Sequence, residues 1–147
     1  MALTGILTQK IRSGVDAVAR TSPTATIADV SRQLHSRRIG AVLVMDSANQ
    51  LLGIVSERDI VGSLAEHGAR TMEMTAAQLM TRDLHIAHPT TTVAEAMGMM
   101  TTGRFRHLPV MDGDVLVGIV SIGDVVKARL SQQEQEVDSL KAYVAGG

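Results

Sequence analysis

Gly53-Ile54-Val55-Ser56-Glu57-Arg58-Asp59 returns as Gly118-Ile119-Val120-Ser121-Ile122-Gly123-Asp124. A duplicated turn of this length implies a duplicated, pseudo-symmetric fold, because internal repetition outranks local signals in a sequence. The match extends upstream. Ile27-Ala28-Asp29-Val30 answers to Val93-Ala94-Glu95-Ala96, and Val44-Met45-Asp46 to Val110-Met111-Asp112, each 66 positions on. At the glycines the spacing is 65, so one residue has been lost in the polar stretch after Asp112, where Gly113-Asp114 stands against Ser47 to Gln50. Hairpin turns tolerate such changes.

Each repeat reads as strand, helix, strand, strand, helix, an α+β arrangement. In the first, Val15 to Arg20 predicts a short strand, and Pro23 marks the turn before a helix whose Ile27, Val30 and Leu34 share one face. Ala41 to Met45 and Leu51 to Val55 are apolar runs joined by Asp46 to Gln50, which predicts a buried hairpin. The next helix is expected from about Ser56 to Gly68. The second repeat copies this with Leu84 to Ala87, Thr92 to Thr102, His107 to Met111, Val115 to Val120 and a last helix over Ser121 to Ala145. Outside the repeats, Leu3, Ile6, Leu7 and Ile11 predict a short amphipathic helix, and Thr75 to Met80 a linker helix that would dock the second unit. The expected organisation is an N-terminal helical segment (1–14), a first unit (15–68), a linker (69–81), a second unit (82–130) and a C-terminal helical extension (131–147). In that extension Val126, Leu130, Val137, Leu140 and Val144 form an apolar stripe, open to two readings: a helix covering its own domain, or a dimer contact.

Composition narrows the function. The 147 residues are 45% hydrophobic, enough for a real core, yet units of about 60 residues are marginal alone and should share an interface. With no cysteine there is no disulfide framework and no thiolate nucleophile. The N-terminus lacks the basic start, apolar run and cleavage site of a secretory signal, so a cytoplasmic protein without membrane attachment is expected. A net charge of −1, one Phe, one Tyr and no Trp argue against nucleic acid as partner.

The repeated motif carries the chemistry. Ser56 and Ser121 sit where a strand ends and a helix begins, where free N–H groups and the positive helix end suit phosphate or hydroxyl oxygens. Asp59 and Asp124 can each accept two hydrogen bonds from a vicinal diol such as a ribose. The competing reading is a capping box, which Thr26 to Asp29 and Thr92 to Glu95 also spell. Gly53 and Gly118 favour the ligand, since a residue without a side chain admits close backbone approach. Arg58, Arg104, Arg106 and His107 are phosphate candidates.

Tandem apolar hairpins ending in Gly-apolar-apolar-Ser-x-x-Asp, with Arg106-His107-Leu108-Pro109-Val110 before one of them, resemble the cystathionine-beta-synthase (CBS) domain, which occurs in pairs. The resemblance spans about residues 15 to 130, and the chain also looks like the stand-alone bacterial pairs. It implies two pseudo-twofold-related units packed through their small sheets, with two clefts that bind adenine nucleotides: AMP foremost, ATP or NAD(H) as alternatives, S-adenosylmethionine in some members. It also implies that Arg58, Arg106 and His107 approach the phosphates, and that the segment before one repeat's first strand completes the other's cleft. Thr81 then partners Asp59, and Arg12, Val15 and Ala17 neighbour Asp124. Disc-like homodimers are common in the family; the effector protein is not implied.

The copies differ. Gly40-Ala41 stands where the second repeat has Arg106-His107, and Ile122-Gly123 where the first has Glu57-Arg58, so the two clefts should differ in affinity or ligand. The five histidines lack metal-ligand spacing, and Ser56 and Ser121 lack a nucleophile elbow or an assignable base. The nine methionines suit irregular core space. A ligand-sensing, non-enzymatic regulatory module is therefore expected; a ligand-free dimerisation or docking module, and less readily a nucleotide-acting enzyme, are the alternatives.

Overall fold

The computed structural model describes residues 1–12 and 18–146. It is an α+β protein that divides into two compact units: Val18–Leu84, and the described residues of 1–17 together with 85–147.

In the Val18–Leu84 unit, β1 (Arg20–Thr21) lies parallel to β2 (Ala41–Met45), which pairs antiparallel with β3 (Leu51–Ser56). Helix α2 (Ile27–Arg37) starts because the Thr26 hydroxyl accepts the Asp29 N–H, and buries Ile27, Val30 and Leu34 at the predicted spacing. It stops at Arg38, whose φ of 54° turns the chain left-handed. Asp46 Oδ1 accepts from the Ala48 and Gln50 amides and closes the hairpin. Helix α3 (Glu57–His67) follows, then a 3-10 turn (Gly68–Glu73) held by a buried hydroxyl pair, Ser63 and Thr71, 2.8 Å apart, and the short helix α4 (Ala76–Leu79). Ala76 is fully buried in this unit's core, with Met72, Met74, Leu79 and Met80 packed around it. The linker therefore docks on the first repeat, not the second as its position in the chain suggested.

The other unit begins with α1 (Leu3–Arg12), whose Leu3, Ile6 and Leu7 are buried with Val93, Val110 and Val120. Ile11, expected on the same face, is 66% exposed. Helix α5 (Val93–Gly103), strands β4 (His107–Asp112) and β5 (Val115–Ser121), and helix α6 (Ile122–Gly146) follow at nearly the expected bounds. The strand expected at Leu84 to Ala87 is a single parallel bridge, Ala87 to Val110. Of the strand expected at Val15 to Arg20, residues 15–17 lie outside the described residues; the observed strand is Arg20–Thr21.

The copies agree in detail. Both hairpins slip register at one place, Val44/Met45 and Val110/Met111. The first amide of the following helix is bonded alike in both, Glu57 N–H to Gly40 O at 2.9 Å and Ile122 N–H to Arg106 O at 2.8 Å. The repeat also reaches α1. Leu3 N–H bonds Thr91 O, Thr4 N–H bonds Pro89 O, and Val93 N–H bonds Met1 O; in the first copy Ala76 bonds Ala25 O, Ala77 bonds Pro23 O, and Ile27 bonds Met74 O. Helix α1 is thus the counterpart of α4, and each repeat's core is completed by the helix that precedes the other repeat in sequence.

Candidate ligand-binding site

Each unit ends its hairpin in the Ser-x-x-Asp junction, and at both the acid folds back on the serine. Asp59 Oδ2 accepts the Ser56 N–H (2.9 Å) and Ser56 Oγ–H (3.0 Å), while Asp59 N–H donates to Ser56 Oγ, a complete capping box. Asp124 Oδ2 accepts the Ser121 N–H at 2.8 Å, and Asp124 N–H donates to Ser121 Oγ at 3.1 Å. The capping reading is therefore real in both copies. Of the first three helical amides, N1 is taken by the Gly40 or Arg106 carbonyl and N3 by the serine. Among the described residues only that of Arg58 or Gly123 is left for an anion, fewer than a bare helix start would offer.

Capping does not exhaust the carboxylates. An ionised carboxylate offers about four acceptor directions, two on each oxygen. Oδ2 of Asp59 receives two bonds from Ser56, and Oδ2 of Asp124 receives two, from Ser121 and from Lys10. Among the described residues Oδ1 of each accepts none, which leaves two directions per acid, the number a vicinal diol uses.

Lys10 was not singled out from sequence, because nothing in its neighbourhood marks it. Its Nζ lies 2.7 Å from Asp124 Oδ2 and 3.0 Å from the Ile119 carbonyl. The side chains are largely buried, 18% and 24% exposed. Burial works to raise the Asp124 pKa, but the Lys10 hydrogen bond and the Ser121 amide together outweigh it and hold the carboxyl below its usual value. The contrast with the first copy has a backbone origin. There α4 ends at Leu79 and the chain unwinds, so that Thr81 and Ile54 exchange backbone hydrogen bonds at 2.9 and 3.0 Å. Its counterpart α1 continues as helix to Arg12, and the lysine on its last turn takes the carbonyl of Ile119, the residue matching Ile54.

That pairing also reassigns Gly53. A Cβ there would sit 2.7 Å from Thr81 O and from Met80 Sδ, so the close approach that requires glycine is made by the chain's own linker. The argument from Gly53 to a ligand does not hold.

The remaining candidates divide between the units. Ser56, Arg58, Asp59 and Thr81 belong to one, and Arg12, Arg104, Arg106, His107, Ser121 and Asp124 to the other. Val15 and Ala17 lie outside the described residues. Arg58, Arg104 and Arg106 are exposed and make no ion pair among the described residues. Arg104 caps α5 with φ 56°, as Arg38 caps α2. Phe105 packs on the core and stacks on His85, ring centroids 4.5 Å apart. His88 Nδ1 lies 3.2 Å from Met111 O. Among the described residues no group of three or more histidines and carboxylates is placed to hold a metal ion, and no helix is long and apolar enough to cross a membrane.

Two copies of a hairpin, each ending in a serine-capped helix with a carboxylate at its mouth, define a tandem-repeat α+β protein. The CBS domain profile matches residues 16–66 and 76–131, and the chain belongs to the CBS domain family. A solved CBS-domain-containing protein from Agrobacterium tumefaciens is 39% identical, with a TM-score of 0.81 over 87% of this chain and 92% of that one. The mitochondrial CBS domain-containing protein CBSX3 of Arabidopsis thaliana is 34% identical over 126 residues, 83% of this chain but 61% of the relative, so the chain spans about three fifths of that protein's length. A CBS domain protein from Pyrobaculum aerophilum complexed with AMP shares the fold, with a TM-score of 0.72 at 24% identity over 84% of this chain and 89% of that one.

Proposed function

We propose that the chain is an adenine-nucleotide-binding regulatory module whose ligand is AMP, with NAD(H) or ATP as alternatives, and that its output is a shift in conformation or partner binding. The observation that carries this reading is the state of the two acids. Among the described residues each keeps one whole oxygen for a ribose diol after its cap is satisfied, at a junction whose guanidiniums make no ion pair there and suit phosphate. That solved relatives of this fold include one complexed with AMP supports the choice of ligand class. The capping bonds of Ser56 and Ser121 support a regulatory reading over an enzymatic one, because hydroxyls held in helix caps are not poised as nucleophiles.

The two junctions are not equivalent. At Asp59 the ribose would meet a carboxylate held, among the described residues, only by its own serine, flanked by Arg58 and the exposed Thr81. At Asp124 it would meet one whose charge is already shared with Lys10, with Arg106 supplying phosphate contact near the start of α6. The Asp59 junction is accordingly the stronger ribose acceptor and the Asp124 junction the more cationic.

A ligand that binds the native chain must raise its melting temperature. A thermal-shift screen of AMP, ADP, ATP, NAD, NADH and S-adenosylmethionine should show a rise with AMP that is reduced in Asp59→Ala. Arg106→Ala should weaken AMP more than adenosine, because only AMP carries a phosphate. No shift with any of the six would leave the chain a ligand-free dimerisation or docking module.

A further inference from the structure

Helix α6 runs 25 residues, Ile122–Gly146, which is about 37 Å at 1.5 Å per residue. Its base packs on its own unit through Val125, which is buried, and through Ile122 and Ala128 against the same core. The apolar stripe does something else. Val126, Leu130, Val137, Leu140 and Val144 are 42%, 56%, 49%, 63% and 69% exposed. With Gln133 they alternate in steps of four and three, the seam of a coiled coil: d at Val126, Gln133 and Leu140, a at Leu130, Val137 and Val144. In this register Val125 and Ala128 fall at c and f, away from the seam, while Ile122, one turn before the stripe begins, falls at g. From Val125 onward the face that covers the unit's own core and the apolar face are therefore different faces.

Flanking charges select the occupant. Between 126 and 144 the g positions hold Arg129, Glu136 and Tyr143, and the e positions Lys127, Glu134 and Lys141. Against a second copy running parallel, each g residue lies beside the e residue five positions on, which pairs Arg129 with Glu134 and Glu136 with Lys141, opposite charges both times. An antiparallel copy with the same seam, Val126 on Val144 and Leu130 on Leu140, would set Glu134 against Glu134, Glu136 against Glu136 and Lys127 against Lys141. All three of those charged pairs are repulsive, and the remaining flank pair, Arg129 with Tyr143, offers no opposite charge to offset them. Gln133, the lone polar residue in the seam, would meet its own copy in the parallel register and fix it there.

We propose that residues 126–144 form a parallel two-stranded coiled coil between two copies of this chain, independent of any nucleotide. The chain has no cysteine, so one introduced thiol reports orientation cleanly. In a parallel pair the two residues 144 face each other within disulfide reach; in an antiparallel pair they lie at opposite ends, about 27 Å apart. Val144→Cys in the full chain should cross-link to a dimer under mild oxidation at micromolar concentration. Adding Leu140→Asp, at an exposed site that leaves the melting of the rest unchanged, should slow cross-linking at least tenfold. Glu136→Lys should slow it several-fold, and Glu136→Lys with Lys141→Glu should restore it. A free thiol at 144 after oxidation, whether the chain is otherwise monomeric or dimeric, overturns the proposal. So does cross-linking indifferent to Leu140→Asp, or a Val126→Cys/Val144→Cys chain that joins 126 to 144 between copies.

Discussion

The pair Lys10 and Asp124 is where one residue sets the two copies apart. Hydrogen bonds between charged groups contribute about 1.5–3 kcal/mol where water is largely excluded, and here the lysine also satisfies the Ile119 carbonyl. Because the folded-state carboxyl is held below its ordinary value, its contribution to stability is fully present above pH 3.8 and is lost as pH falls through the depressed value. Lys10→Met should therefore be less stable than the parent in urea at neutral pH, and the gap should narrow, without closing, when the titration is repeated near pH 3. The residual gap belongs to the Ile119 bond, which does not titrate with Asp124. A gap unchanged between the two pH values would show that the ion pair adds nothing. None of this was legible in the sequence: Lys10 and Asp124 stand 114 positions apart, and Lys10 looks like any surface lysine at the end of an amphipathic helix.

At the scale of elements, propensity and periodicity located the parts that depend on local chemistry. Thr26, Ser56, Thr75 and Thr92 cap their helices because a side-chain oxygen three residues before a free amide is a local arrangement. The strands that are short among the described residues are those whose existence depends on a partner: two residues at Arg20–Thr21, one bridge at Ala87. The role of Gly53 likewise came from a neighbour, since Thr81 O and Met80 Sδ occupy the space a Cβ would need. Gly53→Ala should lift the Met80–Thr81 segment from β3 and cost about 1–3 kcal/mol, as overpacking does. Chemical denaturation measures this, and a neutral substitution would mean the linker yields freely.

At the scale of the whole molecule, the two compact units are not the two sequence repeats with their tails attached in order. The second repeat's core needs Leu3, Ile6 and Leu7 from the start of the chain. Removing a large buried side chain costs about 2–5 kcal/mol, so deleting residues 1–12 should exceed what a small unit can lose. Hydrogen exchange on the deleted chain should show amides of α5, β4 and β5 unprotected while those of α2, β2 and β3 keep protection. Retained protection in both would mean that α1 only decorates the surface. The same exchange of helices is why the linker's position in the chain points to the wrong unit, because nearness in sequence does not say which core an apolar stripe joins.

The sequence by itself determined the duplication, the hairpins, the helix bounds and the repeated Ser-x-x-Asp ends, since each is written in contiguous residues with a period or a cap. Only the tertiary structure decided that α1 matches α4, that Asp59 spends Oδ2 on its serine, and that Lys10 shares Asp124 Oδ2 with the Ser121 amide. Those facts rest on hydrogen bonds between residues far apart in the chain, whose geometry is set by how cores fill and not by any local preference of the backbone.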